Sequence, residues 1–210
     1  MTAFPRRLHA VAALGAASLL ALTACATAGT PGADATLPLG AVWPAPPESD
    51  VVAQGMVMDV DGEVELCLGT IAESYPPQCL GIPVDGWSWD GVEGSETSGE
   101  VRWGSYAVYG TYDGERFTVT QTPIMLALYD PMRPEDPTGG EPGDGSEADV
   151  TALQDELPDR LDAAYLSSFP DNGWLWVDVV WDDGTFQDAA DAEFGEGVVV
   201  IRSAMNPIDG

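Results

Sequence analysis

Apolar and polar positions along the 210-residue chain follow three different patterns in turn. Residues 8–24 are an almost unbroken apolar run behind Arg6 and Arg7. Residues 51–130 carry short runs with the period of two expected of strands. Val51–Val60 is rich in β-branched residues and ends at the turn pair Asp61-Gly62, so residues 63–68 are expected to return as a second strand. Residues 101–109 give the clearest strand, with Val101, Trp103, Ala107 and Tyr109 on one parity. The turn Tyr112-Asp113-Gly114-Glu115 follows, and then Phe117 and Val119 alternate with Arg116, Thr118 and Thr120. Two alternating runs around Asp-Gly predict a second hairpin. The stretch between the hairpins, with Pro76, Pro77, Trp87, Trp89 and many glycines, has no regular period.

After residue 146 the period changes. Ser146 before Glu147 and Asp149 marks a helix start. Val150, Leu153, Leu157, Leu161 and Tyr165 then fall three and four apart as one apolar stripe. Pro158 is expected to kink or split this helix after Glu156, because proline lacks the N–H and crowds the preceding turn. Residues 174–181 predict an apolar strand and residues 198–201 another. Between them Thr185 is placed to cap a helix, with Asp188 at the capping-box spacing and Gly195 just past its end. Strand, helix of about ten residues, strand is the βαβ arrangement, whose strands are usually parallel.

These patterns predict an α+β protein in five parts. Residues 1–24 read as an export signal and 25–50, rich in Ala, Gly, Thr and Pro, as a tether. A first strand near residues 37–43 is the alternative for the tether, prompted by Trp43. Residues 51–130 form a β domain and 131–146, with four Pro and four Gly, a linker or long loop. Residues 147–204 form a small α/β domain.

The start of the chain resembles a bacterial lipoprotein signal peptide, and Leu22-Thr23-Ala24-Cys25 matches its lipobox. The resemblance implies that Cys25 is lipidated and becomes the first mature residue, holding the protein on the outer face of the cell membrane. The run Val101-x-Trp-x-Ser-x-Ala-x-Tyr, Gly110-Thr-Tyr-Asp-Gly114 and Phe117-Thr-Val119 is similar to paired late strands of OB-like barrels. Such folds often bind nucleic acids or sugars. The chain as a whole resembles secreted actinobacterial proteins with similar Cys-Leu-Gly…Pro-Pro-x-Cys and Gly-Thr-Tyr-Asp-Gly stretches, and that resemblance implies no particular activity.

Loss of residues 1–24 changes the chemistry available. It removes His9, the only histidine, and two of the seven Arg in a chain that has no Lys. All 35 acids remain, so the mature formal charge is 5 minus 35, or −30. Nucleic-acid binding rests on cations neutralising phosphates, and five scattered Arg do not supply that surface. Without histidine there is no Ser-His-Asp or Cys-His catalysis and no His-ligated zinc. No cofactor motif is present, and no catalytic residue can be named.

Cys67 and Cys79 are left as an even pair in an oxidising compartment and are expected to form a disulfide. A loop of that size contributes roughly 3 kcal/mol in the chain-entropy model. Asp59, Asp61, Glu63 and Glu65 suggest a calcium loop, but the glycine falls at the wrong position for an EF-hand, so a hairpin turn is expected and no metal site is assigned. Trp87 and Trp89, beside Asp85 and Asp90, are the candidate ligand platform: indoles stack on sugar rings and carboxylates hydrogen-bond their hydroxyls. The expected function is a lipid-anchored envelope binding module, with envelope proteins or carbohydrate as partners. A carboxylate-dependent hydrolase of envelope carbohydrate and a cation-binding surface protein are the rival classes.

Replacing Cys25 with Ala should move the protein out of the membrane fraction when cells are fractionated. Because two or more acyl chains hold firmly where one binds marginally, the shift should be nearly complete. Unchanged partitioning of a mature-sized protein would refute lipidation at Cys25.

Overall fold

The computed structural model describes residues 37–132 and 136–208. The export signal, Cys25 and the first part of the expected tether lie outside them. Among the described residues are eleven strands and two α-helices: β1 (Val51–Val60), β2 (Glu63–Cys67), β3 (Ile82–Asp85), β4 (Glu96–Ser98), β5 (Val101–Tyr112), β6 (Phe117–Val119), β7 (Ile124–Met125), α1 (Glu147–Leu161), β8 (Tyr165–Asp171), β9 (Trp174–Val179), α2 (Thr185–Phe194), β10 (Val199–Ser203) and β11 (Met205–Pro207). The protein is mixed α+β and mostly strand.

Five strands close into a barrel in the order β1-β2-β3-β6-β5, with β5 returning to β1. Every pairing around it is antiparallel except β3 with β6. The first turn forms as its sequence predicts. Asp61 and Gly62 both have positive φ (55° and 89°), as a two-residue hairpin requires, and Asp59 Oδ1 accepts the Gly62 N–H at 2.8 Å. In the second turn Asp113 Oδ1 accepts the N–H groups of Glu115 and Arg116 at 2.9 and 2.7 Å.

The barrel interior is filled by Val51, Ala53 and Val57 of β1, Leu66 of β2, Val84 of β3, Tyr106 and Val108 of β5, and Phe117 of β6. On β5 the inward residues are therefore even-numbered. The odd parity singled out by the sequence faces outward, where Trp103 packs with Met58 and Cys67 in a second cluster. Both faces of β5 are apolar, so alternation alone did not tell inside from outside. The Cys67–Cys79 disulfide ties down the segment over this outer cluster, and Tyr75 meets the Trp103 ring edge-on at 5.4 Å.

β1 is the longest-shared strand. β5 pairs with its whole length, while its other edge is divided between β11 at residues 51–53 and β2 at residues 56–60. Gly55 sits at the division. A Cβ there would stand 2.5 Å from the Cys67 carbonyl oxygen, so the close approach of β2 requires glycine.

β4 and β7 pair with β5, and β8, β9 and β10 form a three-stranded sheet in the order β10-β9-β8. β9 and β10 are parallel and joined through α2, as the βαβ pattern predicts; β8 is antiparallel to β9. Leu153, Leu157 and Leu161 of α1 and Phe186, Ala189 and Ala190 of α2 pack with Leu175, Val177 and Val179 of β9 on one sheet face. α1 starts where expected, with Ser146 accepting the Asp149 N–H. It does not end at Glu156 but continues through Pro158 to Leu161. Pro158 lies in the last turn, where it costs one helical bond, and the fully buried Leu157 and Leu161 on either side hold the turn closed.

Tyr165, read as part of the helical stripe, instead opens β8. α2 also differs in its cap. Gly184 is the N-cap residue, Thr185 is the first helical residue, and the carboxylate of Asp182 accepts the N–H groups of Phe186 and Gln187 at 2.8 and 3.3 Å. Gly195, with φ of 95°, ends the helix as predicted.

The described part of the expected tether is docked. Leu39 is 2 % exposed in the α/β core. Its N–H donates to Glu193 Oε2 at 2.9 Å, and its carbonyl accepts from Arg160 at 2.8 Å. Arg160 and Glu193 themselves pair at 2.6 Å, so α1, α2 and the incoming chain are clasped together. Part of the expected linker is bonded too: Gly143, Asp144 and Gly145 donate to carbonyls of Asn172, Gly197 and Gly173. Thr36–Gly210 forms one unit by its contacts.

Two measurements test these packing roles. Leu39→Ala should lower unfolding stability by about 2–4 kcal/mol in a denaturant titration, as for other buried leucines; a tether residue would show almost no effect. The second concerns Asp182, whose carboxyl is pushed above its ordinary value of 3.8 by burial, with the helix N–H groups pulling the other way. A raised folded-state value means that the folded protein holds this proton more tightly than the unfolded one. The contribution is full below 3.8 and is lost as pH rises through the folded value. The melting temperature of Asp182→Asn, measured against the parent, should therefore improve as pH rises from 3.8 through the folded value and level off above it. A constant difference across that range would show that burial does not govern this group.

Candidate functional site

The structure brings together only part of the Trp87, Trp89, Asp85 and Asp90 constellation. The two indoles meet edge-to-face at 5.1 Å and both pack on Tyr106, whose hydroxyl donates to the Glu93 carbonyl at 3.0 Å. Trp89 Nε1 donates to Asp59 Oδ2 at 2.7 Å, and the Arg102 guanidinium lies 4.4 Å above its ring. This is a plug packed against the barrel core, with one indole face already covered by a cation. Trp87 Nε1 is buried with no hydrogen-bond partner among the described residues. Asp85 is held by Arg116 through two bonds of 2.9 and 2.7 Å, and that pairing keeps its carboxyl below the ordinary range. Asp90 lines a shallow cavity of about 270 Å³ with Trp87, away from Asp85 and Trp89.

The acidic run at the first hairpin is likewise employed locally. Asp59 accepts one bond from Gly62 and one from Trp89, so both carboxylate oxygens are engaged in fixing the turn and the plug. No group of three or more His, Cys, Asp or Glu side chains among the described residues is arranged to hold a metal ion.

A larger feature lies between the barrel and the α/β layer, and the sequence reading passed over it. One cavity of about 490 Å³ is lined by Leu66, Leu68, Leu80 and Ile82 on the barrel side and by Tyr165, Leu166 and Val180 on the other. A second, of about 370 Å³, is walled by Trp43, Trp181 and Phe186 and by the β5–β6 hairpin. Both reach Tyr112, Gly114, Glu115, Ala163 and Val180, so they form one continuous groove. Its floor is apolar and its margin is exposed: Leu80 is 97 % and Trp43 57 % accessible.

The walls are fixed by hydrogen bonds that leave the groove itself apolar. Trp181 Nε1 donates to the Ala45 carbonyl at 2.8 Å, and the Ala45 N–H donates to Asp183 Oδ2 at 3.0 Å. These bonds hold the segment after Trp43 against the α/β layer. Tyr112 donates its hydroxyl to the Gly114 carbonyl at 2.7 Å. Burial, and then the charges of Asp113 and Glu115, raise the Tyr112 phenol above its ordinary value, so it stays neutral.

The rim carries Asp113, Glu115 and Asp162. The N–H groups of Glu115 and Arg116 hold the Asp113 carboxyl below the usual range, which keeps it charged. An apolar floor with an acidic rim can take apolar side chains flanked by cations. The signals for it were present as Trp43 in a Pro-rich segment and Tyr112 at a turn. Nothing local indicated that the two would meet. Searches of protein-family models, of curated proteins and of solved structures each found no match to this chain.

Proposed function

We propose that this protein is a lipid-anchored module on the outer face of the cell membrane that binds a partner protein. The partner inserts a segment of apolar residues flanked by Arg or Lys into the groove between the barrel and the α/β layer. The observation that carries this reading is the exposed apolar groove between β2, β3 and the α/β layer, bounded by acids. Large apolar side chains as open as Leu80 and Trp43, gathered on one concave surface, mark interaction sites.

The barrel reads as OB-like. Its strand order β1-β2-β3-β6-β5 and the parallel contact of its third and last strands support that reading. OB barrels use the face of their second and third strands, together with flanking hairpin loops, to bind ligands. The groove involves the same two strands and the β5–β6 hairpin, but it is lined by residues of the barrel's inner cluster, Leu66, Ile82 and Tyr112, rather than by the outward side chains of β2 and β3. Nucleic acid does not fit it. The four described Arg of the mature chain are all engaged: Arg102 with Trp89, Arg116 with Asp85, Arg160 with Glu193 and Arg202 with Asp178. A mature charge of −30 favours a cationic partner by long-range attraction.

Photo-crosslinking from position 80 in the lipidated protein, in its own host, should capture a segment that is apolar and carries Arg or Lys. A synthetic peptide of the captured segment should bind the purified protein and weaken with added salt. Leu80→Asp should reduce its affinity roughly tenfold or more, the loss expected for one apolar anchor, without changing the melting temperature. Capture of acidic segments, or equal peptide binding by Leu80→Asp, would overturn the proposal.

A further inference from the structure

A second cavity, of about 380 Å³, lies where β10 leaves the three-stranded sheet to become β11 of the barrel. Its chemistry is opposite to that of the groove. Among the described residues the only charged groups lining it are Arg202 and Asp178, paired at 2.7 Å, so their charges balance within a strongly acidic protein. Around them stand Gln54 of β1, Asn206 of β11 and Thr70, none of which hydrogen-bonds another described side chain. Carboxamides offer a donor and an acceptor on one planar group, and hydroxyls do both through one atom. These are the partners that suit a ligand rich in hydroxyls and free of charge.

The charged pair is held firmly enough to serve as part of a site. Arg202 Nε donates to Asp178 Oδ1 at 2.8 Å, and Ser167 Oγ donates to Asp178 Oδ2 at 2.7 Å. The guanidinium also lies 5.3 Å from the ring centres of both Phe169 and Trp176, which stack 6° from parallel. A guanidinium has five N–H donors in a rigid fork, so the bonds to Asp178 leave others directed elsewhere. Leu68 and Leu166 add apolar surface to the same cleft, suited to the C–H face of a ring. Gln54, Asp178, Arg202 and Asn206 all stand on strands, which position side chains more rigidly than loops.

We infer that this cleft binds a neutral saccharide, either a free sugar or a residue of an uncharged envelope polysaccharide. Gln54, Thr70, Asn206 and the Arg202–Asp178 pair recognise its hydroxyls. The cleft adjoins the groove, since Leu68 and Leu166 line both, but its polar groups line only the cleft, and it shares no lining residue with the Trp87–Trp89 plug.

The test uses the full mature protein in a detergent that carries no sugar. Saturation-transfer NMR with maltose, cellobiose and methyl glucoside reads binding of free sugars. Retention on neutral and on anionic polysaccharide isolated from the host envelope reads the polymer. Transfer to a free sugar, or retention by the neutral polymer alone, supports the inference and identifies the source. Gln54→Ala with Asn206→Ala should weaken the interaction roughly tenfold, whereas Leu80→Asp should leave it intact. Should the double variant fold poorly, chemical-shift changes in the unmodified protein must centre on the Asn206 and Gln54 side-chain amides and the Trp176 indole. Absence of binding to every neutral probe, a preference for the anionic polymer, or shift changes confined to Trp87 and Trp89 would each overturn it.

Discussion

Strand β1 has two edges and three neighbours, and the molecule is organised around that fact. One edge is used up by β5 over all ten residues. The other is shared, so that β2 can close the barrel on the second half while β11 binds the first half. β11 follows β10 after one residue, Ala204. The sheet that carries α1 and α2 is thereby joined to the barrel by backbone hydrogen bonds. Gly55 lets β2 approach where the edge changes hands. Both the apolar groove and the polar cleft are lined by residues of the barrel and of the α/β layer, so both depend on this arrangement.

Charge is the second organising constraint. A chain with 35 acids and only seven arginines gains most from its cations where they are paired and partly buried. Arg160 joins α1 to α2 and to the Leu39 carbonyl, Arg202 lies across two aromatic rings while holding Asp178, and Arg102 covers Trp89. Among the described residues the Arg116–Asp85 pair is the one with both partners broadly exposed, at 46 % and 54 %. With cations spent on the fold, the acids that remain at the surface set the electrostatics of the groove rim. At the β10–β11 junction the one acid among the described lining residues, Asp178, is already paired with Arg202.

Where a local pattern has a single physical solution, the chain was readable. Asp-Gly between two β-branched runs can turn the backbone cheaply, so β1 and β2 were legible to within a residue. Ser146 with Asp149 three residues later identified the start of α1, and the apolar runs around α2 became β9 and β10. The Cys67–Cys79 pair followed from counting, and the barrel from the resemblance of residues 101–119 to the late strands of OB-like barrels. Export and lipidation rest on residues 1–25, which lie outside the described structure.

What the sequence by itself determined, then, is the set of local elements, the cross-link and the charge, because each depends on neighbours in the chain. Only the tertiary structure decided which face of β5 looks inward, since both faces are apolar and the choice lies with strands elsewhere. It likewise decided that Asp182 rather than Thr185 caps α2, that Pro158 is carried inside α1 by the burial of Leu157 and Leu161, and that residues 37–50 are docked by Arg160, Glu193 and Trp181. Both candidate sites belong to this second class. Leu80 and Trp43 are 37 residues apart in the chain, and Gln54 and Asn206 are 152 apart. No local preference encodes such meetings; they follow from the division of one strand edge between two partners.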